Sequence, residues 1–262
     1  MKNFLLAVLI ATTFSVVSVS AQDPVSWYIN NTILSTRVFN SIMANKMLEK
    51  KGNNSSNLQR KNQNTQPKTK VDYTVFKFSP NNSISGTLAQ KAGKNAQSQQ
   101  QAKQMFDSLL DLYKKTAKED GYPADDLAYA FSYLVINNYV VYHDLVNVPY
   151  EKDPRIKGLQ NSYERMAAIN KKQSEKIRPE QERAVYNQFK QYLSSNPNLQ
   201  NLTDADKQEV AEFFAIMTGF NFGNYMRAVN DENDQSIQSA KKAAQNSLEK
   251  FLGAPIGEIK IT

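Results

Sequence analysis

The stretch PADDLAYAFSYLVINNYVVYHDLV, residues 123–146, decides the fold because it is apolar on nearly every side. A helix that is hydrophobic all round belongs in the interior of a protein. Pro123 suits the first turn of a helix, and Asp125 and Asp126 complement the positive end of the helix dipole. We therefore predict a helix over residues 124–146 at the centre of a helical bundle.

On both sides of this stretch, apolar residues recur at spacings of three and four, which is typical of amphipathic helices. A capping-box-like sequence from Thr203 to Asp206 predicts one helix start, and Gly253 predicts the end of the last helix. The predicted flanking helices cover residues 98–118, 156–176, 179–194, 203–230 and 237–251, and a separate short helix at 88–96 can lead into the first of them. The predicted fold class is mainly α, a bundle-like domain of five to six helices over residues 73–262.

Two short segments alternate between apolar and polar residues, as a β-strand does. They are YTVFKF at residues 73–78 and IGEIKIT at residues 256–262. Because these are the only strand candidates in the domain, we expect them to pair. The result would be a minor two-stranded β element formed by the start and the end of the domain.

The first residues follow the pattern of a secretory signal peptide, predicted at 1–21. Lys2 supplies the positive start, FLLAVLIA at 4–11 is the apolar run, and the small residues at 19–21 match a cleavage site. A membrane anchor would need about 20 consecutive apolar residues, which this run does not reach. We expect cleavage after Ala21 and export to the periplasm or the medium.

A polar, basic linker is predicted at residues 50–72. Between Lys50 and Lys70 the one aliphatic residue is Leu58, so this segment has too little apolar surface to offset the entropy of ordering it. Its basic residues, with Lys2, account for the whole formal net charge of +7. Because no aromatic residue accompanies them, we expect no nucleic-acid partner, and at most weak contact with anionic surfaces.

An amphipathic N-terminal helix is predicted at residues 22–49, ahead of the linker. From Trp27 to Leu48, apolar residues recur at spacing four and form a stripe that needs burial. The linker is long enough for the stripe to return to its own domain. Self-association and capture of an unknown envelope protein are the alternatives, and we favour an interaction role for this segment.

The composition excludes several kinds of site. The chain has no cysteine, so disulfides, thiolate metal sites, iron–sulfur clusters and cysteine nucleophiles are excluded. A single histidine, His143, excludes a multi-histidine metal site within one chain. We predict no cofactor.

Two acidic patterns come closest to a metal site. The acidic run 231–234 fails as a calcium loop, because Ser236 and Lys242 stand where the template needs glycine and glutamate. Glu209 and Glu212 lie three apart on a predicted helix without the Glu-x-x-His partner of a di-iron site. We therefore predict no metal site and place both glutamates on a solvated helix face.

His143 and Asp144 are the best acid–base candidates, because histidine alone titrates near neutral pH. Tyr139 and Tyr142 precede them in the last helical turn. No motif supplies a nucleophile, and a histidine near a helix end is favourable there as a cation. We expect a structural histidine, with a hydrolase using carboxylates and His143 as the alternative.

The string GFNFG at residues 219–223 is unusual, because each glycine costs a helix about 1 kcal/mol relative to alanine. Close packing of another helix against Gly219 and Gly223 would offset this cost. The alternative is a groove for a ligand or a peptide. Its walls would be Tyr139, Tyr142, Phe220, Phe222 and Tyr225.

Four segments together carry a resemblance. They are YTVFKFSP at 73–80, PADDLAYAFSYL at 123–134, PEQERAVYNQFKQYLSSNPNLQNLTDADKQEVAEFF at 179–214 and FLGAPIGEIKIT at 251–262. The chain resembles, over residues 73–262, a bacterial family of exported proteins known as a domain of unknown function. The resemblance implies an exported α-helical domain with a strand-like start and finish. It brings no activity, ligand or catalytic residue.

The sequence therefore favours a non-enzymatic binding or structural module of the bacterial envelope. The hydrolase alternative makes a different structural prediction. An enzyme would hold His143 in a concave pocket beside a carboxylate and a nucleophile. A binding module would instead present an apolar groove without converging titratable groups.

Overall fold

The computed structural model describes residues 72–159, 162–194, 196–259 and 261. Over these residues it contains seven α-helices and no β-strand. They are α1 (Ser85–Ala92), α2 (Ala96–Asp120), α3 (Leu127–Tyr142), α4 (Ser162–Lys176), α5 (Pro179–Ser194), α6 (Asp204–Asn230) and α7 (Asp234–Leu252). The mainly helical prediction is confirmed. The predicted signal peptide at 1–21, the helix at 22–49 and all of the linker at 50–72 except Asp72 lie outside the described residues.

Helix α3 lies at the centre, where it packs against α5, α6 and α7. Nearly all its side chains are buried, including the polar residues Ser132, Asn137 and Asn138. Each of these three donates a hydrogen bond to the backbone carbonyl four residues earlier, at 2.7–2.8 Å. These bonds give each of the three polar side chains a partner inside the core, which lets the helix be buried on nearly every side.

The caps explain where several helices begin and end. Thr203 and Asp206 form the predicted capping box at the start of α6. Helix α3 starts later than predicted because Asp126 is its N-cap, accepting a hydrogen bond from the Ala128 amide at 2.8 Å. Gly253, at φ 63°, closes α7 in the left-handed conformation that glycine adopts without strain.

The predicted two-stranded β element is wrong. Residues 73–78 run beside the start of α3: the Phe76 amide donates to the Asp125 carbonyl at 3.0 Å, and the Leu127 amide to the Thr74 carbonyl at 3.1 Å. The C-terminal residues instead form a short 3₁₀-helix, Ile256–Glu258. The first segment bonds to residues at the start of α3, and the second bonds mainly within its own turn, so the two do not pair.

The start of α4 also differs from the prediction. Residues 156–159 form turns, and the helix begins at Ser162. The buried Asp153 holds this turn by accepting hydrogen bonds from the Arg155 amide at 3.0 Å and from Lys172 Nζ at 3.3 Å. The structure has seven α-helices among the described residues rather than the predicted five to six, because α1 is a separate helix before α2.

Candidate binding site

A pocket of about 280 Å³ opens between the segment that precedes α1, helices α2 and α6, and the residues before α3. We name residues 72–84 the strap and this cavity the strap pocket. Most of the lining is apolar. It consists of Phe76, Phe78, Leu110, Tyr113, Lys114, Ala124, Asp125, Ala211 and Glu212.

Helix α6 holds the strap through two buried polar side chains. Gln208, fully buried, accepts from the Ser79 amide and donates to the Ser79 carbonyl, both at 2.8 Å. Glu212, 3% exposed, accepts from the Ile84 amide at 2.9 Å and from the Ser83 hydroxyl at 3.0 Å. Gln208 also donates to Glu212 at 2.8 Å, which leaves the glutamate oxygens fully engaged. These hydrogen bonds hold the strap against α6 and so fix this wall of the pocket.

The pocket has one cationic side chain in its lining. Lys114 Nζ lies 3.8 Å from the centre of the Phe78 ring, a cation–π contact. The volume lies just below the roughly 300 Å³ at which drug-sized ligand sites begin. The strap pocket therefore suits one large apolar group rather than an extended ligand.

A buried polar cluster anchors the start of the strap. Asp126 is fully buried and accepts hydrogen bonds from Tyr186 Oη at 2.9 Å and from Lys190 Nζ. Lys190 also donates to Thr74 Oγ1 and pairs with Asp72, both at 2.6 Å. We name Asp72, Thr74, Asp126, Tyr186 and Lys190 the polar cluster. It ties the strap to α3 and α5.

Electrostatics within the polar cluster favour the charged forms of Asp72 and Lys190. Partial burial opposes ionisation of Asp72, but its hydrogen bonds to Lys190 and Thr74 prevail and lower its pKa below 3.8. Burial likewise opposes the charge on Lys190, yet its bonds to Asp126 and Asp72 raise its pKa above 10.5. The cluster is therefore an ionic lock at neutral pH.

A second group of acids lies where the end of α2 meets α5. Burial, with repulsion from Glu119, raises the pKa of Asp120 to about 7. Burial and repulsion from Asp120 raise the pKa of Glu182 to about 7 as well. These carboxyls can exchange protons near neutrality, a property found at many functional sites and also in structural pairs.

The Glu182→Gln variant is expected to raise the melting temperature at pH 8 by about 2–4 °C, equivalent to about 1 kcal/mol in a domain of this size. The raised pKa values mean that the folded state binds protons more tightly than the unfolded chain. The contribution of this acid pair to the stability of the chain therefore falls as the pH rises from about 5 to 8. Calorimetry across this range, with the exposed Glu180→Gln on the same helix as control, measures the effect. A pH slope of stability that is as steep in Glu182→Gln and in Asp120→Asn as in the unsubstituted chain would contradict it.

The structure places His143 at the end of α3, exposed, and in contact with two tyrosine rings. Its ring centre lies 4.2 Å from that of Tyr139 and 4.9 Å from that of Tyr142. Partial burial, followed by the charge on Lys241, lowers the pKa of His143. Asp144, at φ 53°, accepts from Tyr225 Oη at 3.2 Å and from Lys241. His143 thus contacts the two tyrosine rings and Asp144 contacts Tyr225, while the charge of Lys241 acts on both.

The residues of the predicted groove are distributed over the interior and its margin. Phe222 and Tyr225 lie inside the core, while Tyr139, Tyr142 and Phe220 are partly buried beside it. A Cβ on Gly219 would lie 2.9 Å from Leu109 Cδ2, so this glycine lets α2 approach α6 closely. The Asp144–Tyr225 hydrogen bond joins a residue predicted as an acid–base candidate to one predicted to line the groove.

The acid pair and His143 lie at opposite ends of α3. Asp120 acts electrostatically on Tyr129 and Tyr133 in the first half of this helix, whereas His143 caps its end. At 1.5 Å per residue, the two ends are separated by about 20 Å. In the described part of the chain, no group of three or more histidine, cysteine, aspartate or glutamate residues is arranged to hold a metal ion.

The sequence analysis did not predict the strap pocket, because it assigned the residues that form the pocket to other structures. Residues 73–78 were predicted to pair as a strand, and Glu212 was placed on a solvated face. One signal for the site was present. Gln208 and Glu212 occur at helical spacing from Ala215 and Gly219, which continue the buried face of α6.

Comparison with known proteins gives one family match. The model of a family of unknown function (DUF6683) matches residues 1–174 and 166–262. The match reaches residue 1, beyond the range 73–262 on which the sequence resemblance rests. No curated protein and no solved structure matches the chain. Among the described residues, no helix has both the length and the apolar character needed to cross a membrane.

Proposed function

The chain belongs to the family of unknown function DUF6683, and from this premise we propose that it is a non-enzymatic binding module whose ligand site is the strap pocket. The observation that carries the proposal is a mainly apolar cavity of about 280 Å³ whose wall is fixed by buried hydrogen bonds. Apolar, preformed cavities are the usual sites of ligand binding. The ligand is a large apolar group.

The chemistry of the lining supports binding rather than catalysis. The Glu212 oxygens are engaged with Gln208, Ser83 and Ile84. The Tyr113 hydroxyl donates to the Ala124 carbonyl at 3.1 Å, and burial raises its pKa well above 10. Both groups support the wall, and the raised pKa keeps the Tyr113 hydroxyl neutral at neutral pH.

Filling the strap pocket should weaken the binding of an apolar probe. We expect Ala211→Phe to lower the affinity for 8-anilinonaphthalene-1-sulfonate at least tenfold, because the new ring occupies the cavity. Fluorescence titration measures the affinity in the full chain, with and without Leu34→Asp. The Leu34→Asp background tests whether an apolar side chain of the N-terminal segment occupies the pocket and competes with the probe. Val75→Phe is the matched control, since Val75 lies on the strap, 41% exposed, and outside the lining.

Ala124→Leu, at a partly buried lining position, repeats the test without changing a core residue. Melting curves show that each variant is folded. Equal affinity in Ala211→Phe, Ala124→Leu and the unsubstituted chain, in both backgrounds, would refute the proposed site.

We further propose that the protein acts outside the inner membrane of a bacterium. The support is the pattern at residues 1–21, with its apolar run and small-residue cleavage site. Intact mass of the chain expressed in a bacterial host should show a mature protein that begins at Gln22. Recovery of a membrane-bound form that retains Met1 would refute export by this route.

A further inference from the structure

We infer that the strap pocket is occupied by an apolar side chain of the chain's own segment Trp27–Leu48, in an intramolecular contact. This inference rests on the proposed function, and it names the occupant of the same site. The first observation is position. The described chain begins at Asp72, and Phe76 and Phe78 of the same strap line the pocket. The linker that carries the N-terminal segment therefore joins the described chain a few residues from the pocket lining.

The length of chain between the two fits an intramolecular contact. Residues 49–71 join the segment to the strap, and a polar chain of this length has an r.m.s. span of about 25 Å. Such a tether gives an effective concentration in the millimolar range. At micromolar protein, the segment of the same chain therefore competes favourably with that of a second copy.

The chemistry of the segment fits the cavity. Its stripe offers large apolar side chains at spacing four, including Leu34, Val38 and Ile42, and the cavity suits one such group. The segment carries Arg37 and Lys46 without an acid. The lining carries two acids against one lysine, so the charges are complementary.

The rest of the described surface offers little else to an apolar stripe. Val75 is the only large hydrophobic side chain there that is strongly exposed. Partly buried hydrophobic residues cover the remaining margins of the core. The strap pocket is a concave, mainly apolar feature that a protruding apolar side chain can enter.

Because the chain has no cysteine, disulfide cross-linking can report this contact without background. Cysteine is introduced at Leu34, Val38 or Ile42, one position at a time, together with Lys114→Cys in the pocket lining. The control replaces Lys114→Cys with Lys103→Cys, which is exposed on the same helix about 16 Å away along the axis. Oxidation of the full chain at low micromolar concentration is followed by non-reducing intact mass.

The expected result is an intramolecular disulfide that forms at least tenfold faster with Lys114→Cys than with Lys103→Cys for at least one segment position. Adding Ala211→Phe should remove this selectivity, and Leu34→Asp should increase the probe affinity at least tenfold. Asn40→Asp, on the polar side of the stripe, should leave the probe affinity unchanged.

Equal rates for the two cysteine pairs would overturn the inference, as would selective cross-links found only between chains. If Ala211→Phe weakens probe binding while cross-linking is unselective, the pocket binds another occupant and the inference alone fails. If cross-linking is selective but no lining substitution affects the probe, the proposed function fails as a ligand site while the contact remains.

Discussion

Replacing Lys190 with methionine is expected to lower the free energy of unfolding by about 3–5 kcal/mol, because it leaves the fully buried Asp126 without its cation. The methionine side chain fills a similar space but cannot donate a hydrogen bond. Asp72 and Thr74 lose the same partner, so the start of the strap is released as well. Urea unfolding of the full chain measures the loss.

Two controls separate the buried pair from the general loss of a lysine. Lys103→Met removes an exposed pair with Asp107 and should change stability by about 0.5 kcal/mol or less. Asp126→Asn in the Lys190→Met background should restore part of the stability, because the unpaired charge is gone. A loss below about 1 kcal/mol in Lys190→Met would show that the buried ion pair does not hold the strap to α3 and α5.

The pH dependence of the polar cluster has a definite sign. The folded-state pKa of Asp72 lies below 3.8 and that of Lys190 lies above 10.5. Stabilisation by the pair is therefore complete between the unshifted pKa values, 3.8 for Asp72 and 10.5 for Lys190. It is lost as the pH falls through the lowered pKa of Asp72, and also as the pH rises through the raised pKa of Lys190.

Local patterns were enough to predict the helices of the core. The apolar stretch that forms α3 could be placed at the centre because no polar face was available to meet water. Thr203 with Asp206 predicted the start of α6, because a capping box satisfies the free amides of a first turn. The bounds predicted for α5, 179–194, are those of the structure. These features depend on residues a few positions apart.

The partners of the strap could not be predicted in the same way. Alternation at residues 73–78 identifies an extended, half-buried segment, but it does not say what lies beside it. In the structure that neighbour is the start of α3, about fifty residues later, and Lys190 of α5 completes the contact. The predicted pairing with the C-terminus failed because the backbone at the start of α3, together with Lys190, supplied the partners.

Glu212 shows why a charged residue can be assigned to the wrong face. Charged side chains are rarely fully buried unless they are paired or hydrogen-bonded. The donors that satisfy this carboxylate are the Ile84 amide, the Ser83 hydroxyl and Gln208. Two of them lie more than 120 residues earlier in the chain, beyond the reach of a local pattern.

Replacing Glu212 with alanine is expected to lower the free energy of unfolding by about 3 kcal/mol and to abolish probe binding in the strap pocket. The substitution leaves the buried Ile84 amide without an acceptor, at a cost of about 1–3 kcal/mol. It also removes a partner of Ser83 and of Gln208, and with them part of the fixed pocket wall. Urea unfolding and probe titration of the full chain measure the two effects.

Glu209→Ala is the matched control, one turn earlier on α6. Burial, followed by repulsion from Asp206, raises the pKa of Glu209, so loss of its charge should be neutral or slightly stabilising. Glu212→Gln keeps one oxygen as an acceptor but can satisfy only part of the set, so its stability should lie between those of Glu212→Ala and the unsubstituted chain. Unchanged probe binding in a folded Glu212→Ala would mean that the strap holds its position without this carboxylate. If Glu209→Ala and Glu212→Ala were equally stable, the buried hydrogen bonds of Glu212 would not be the contact that fixes the pocket wall.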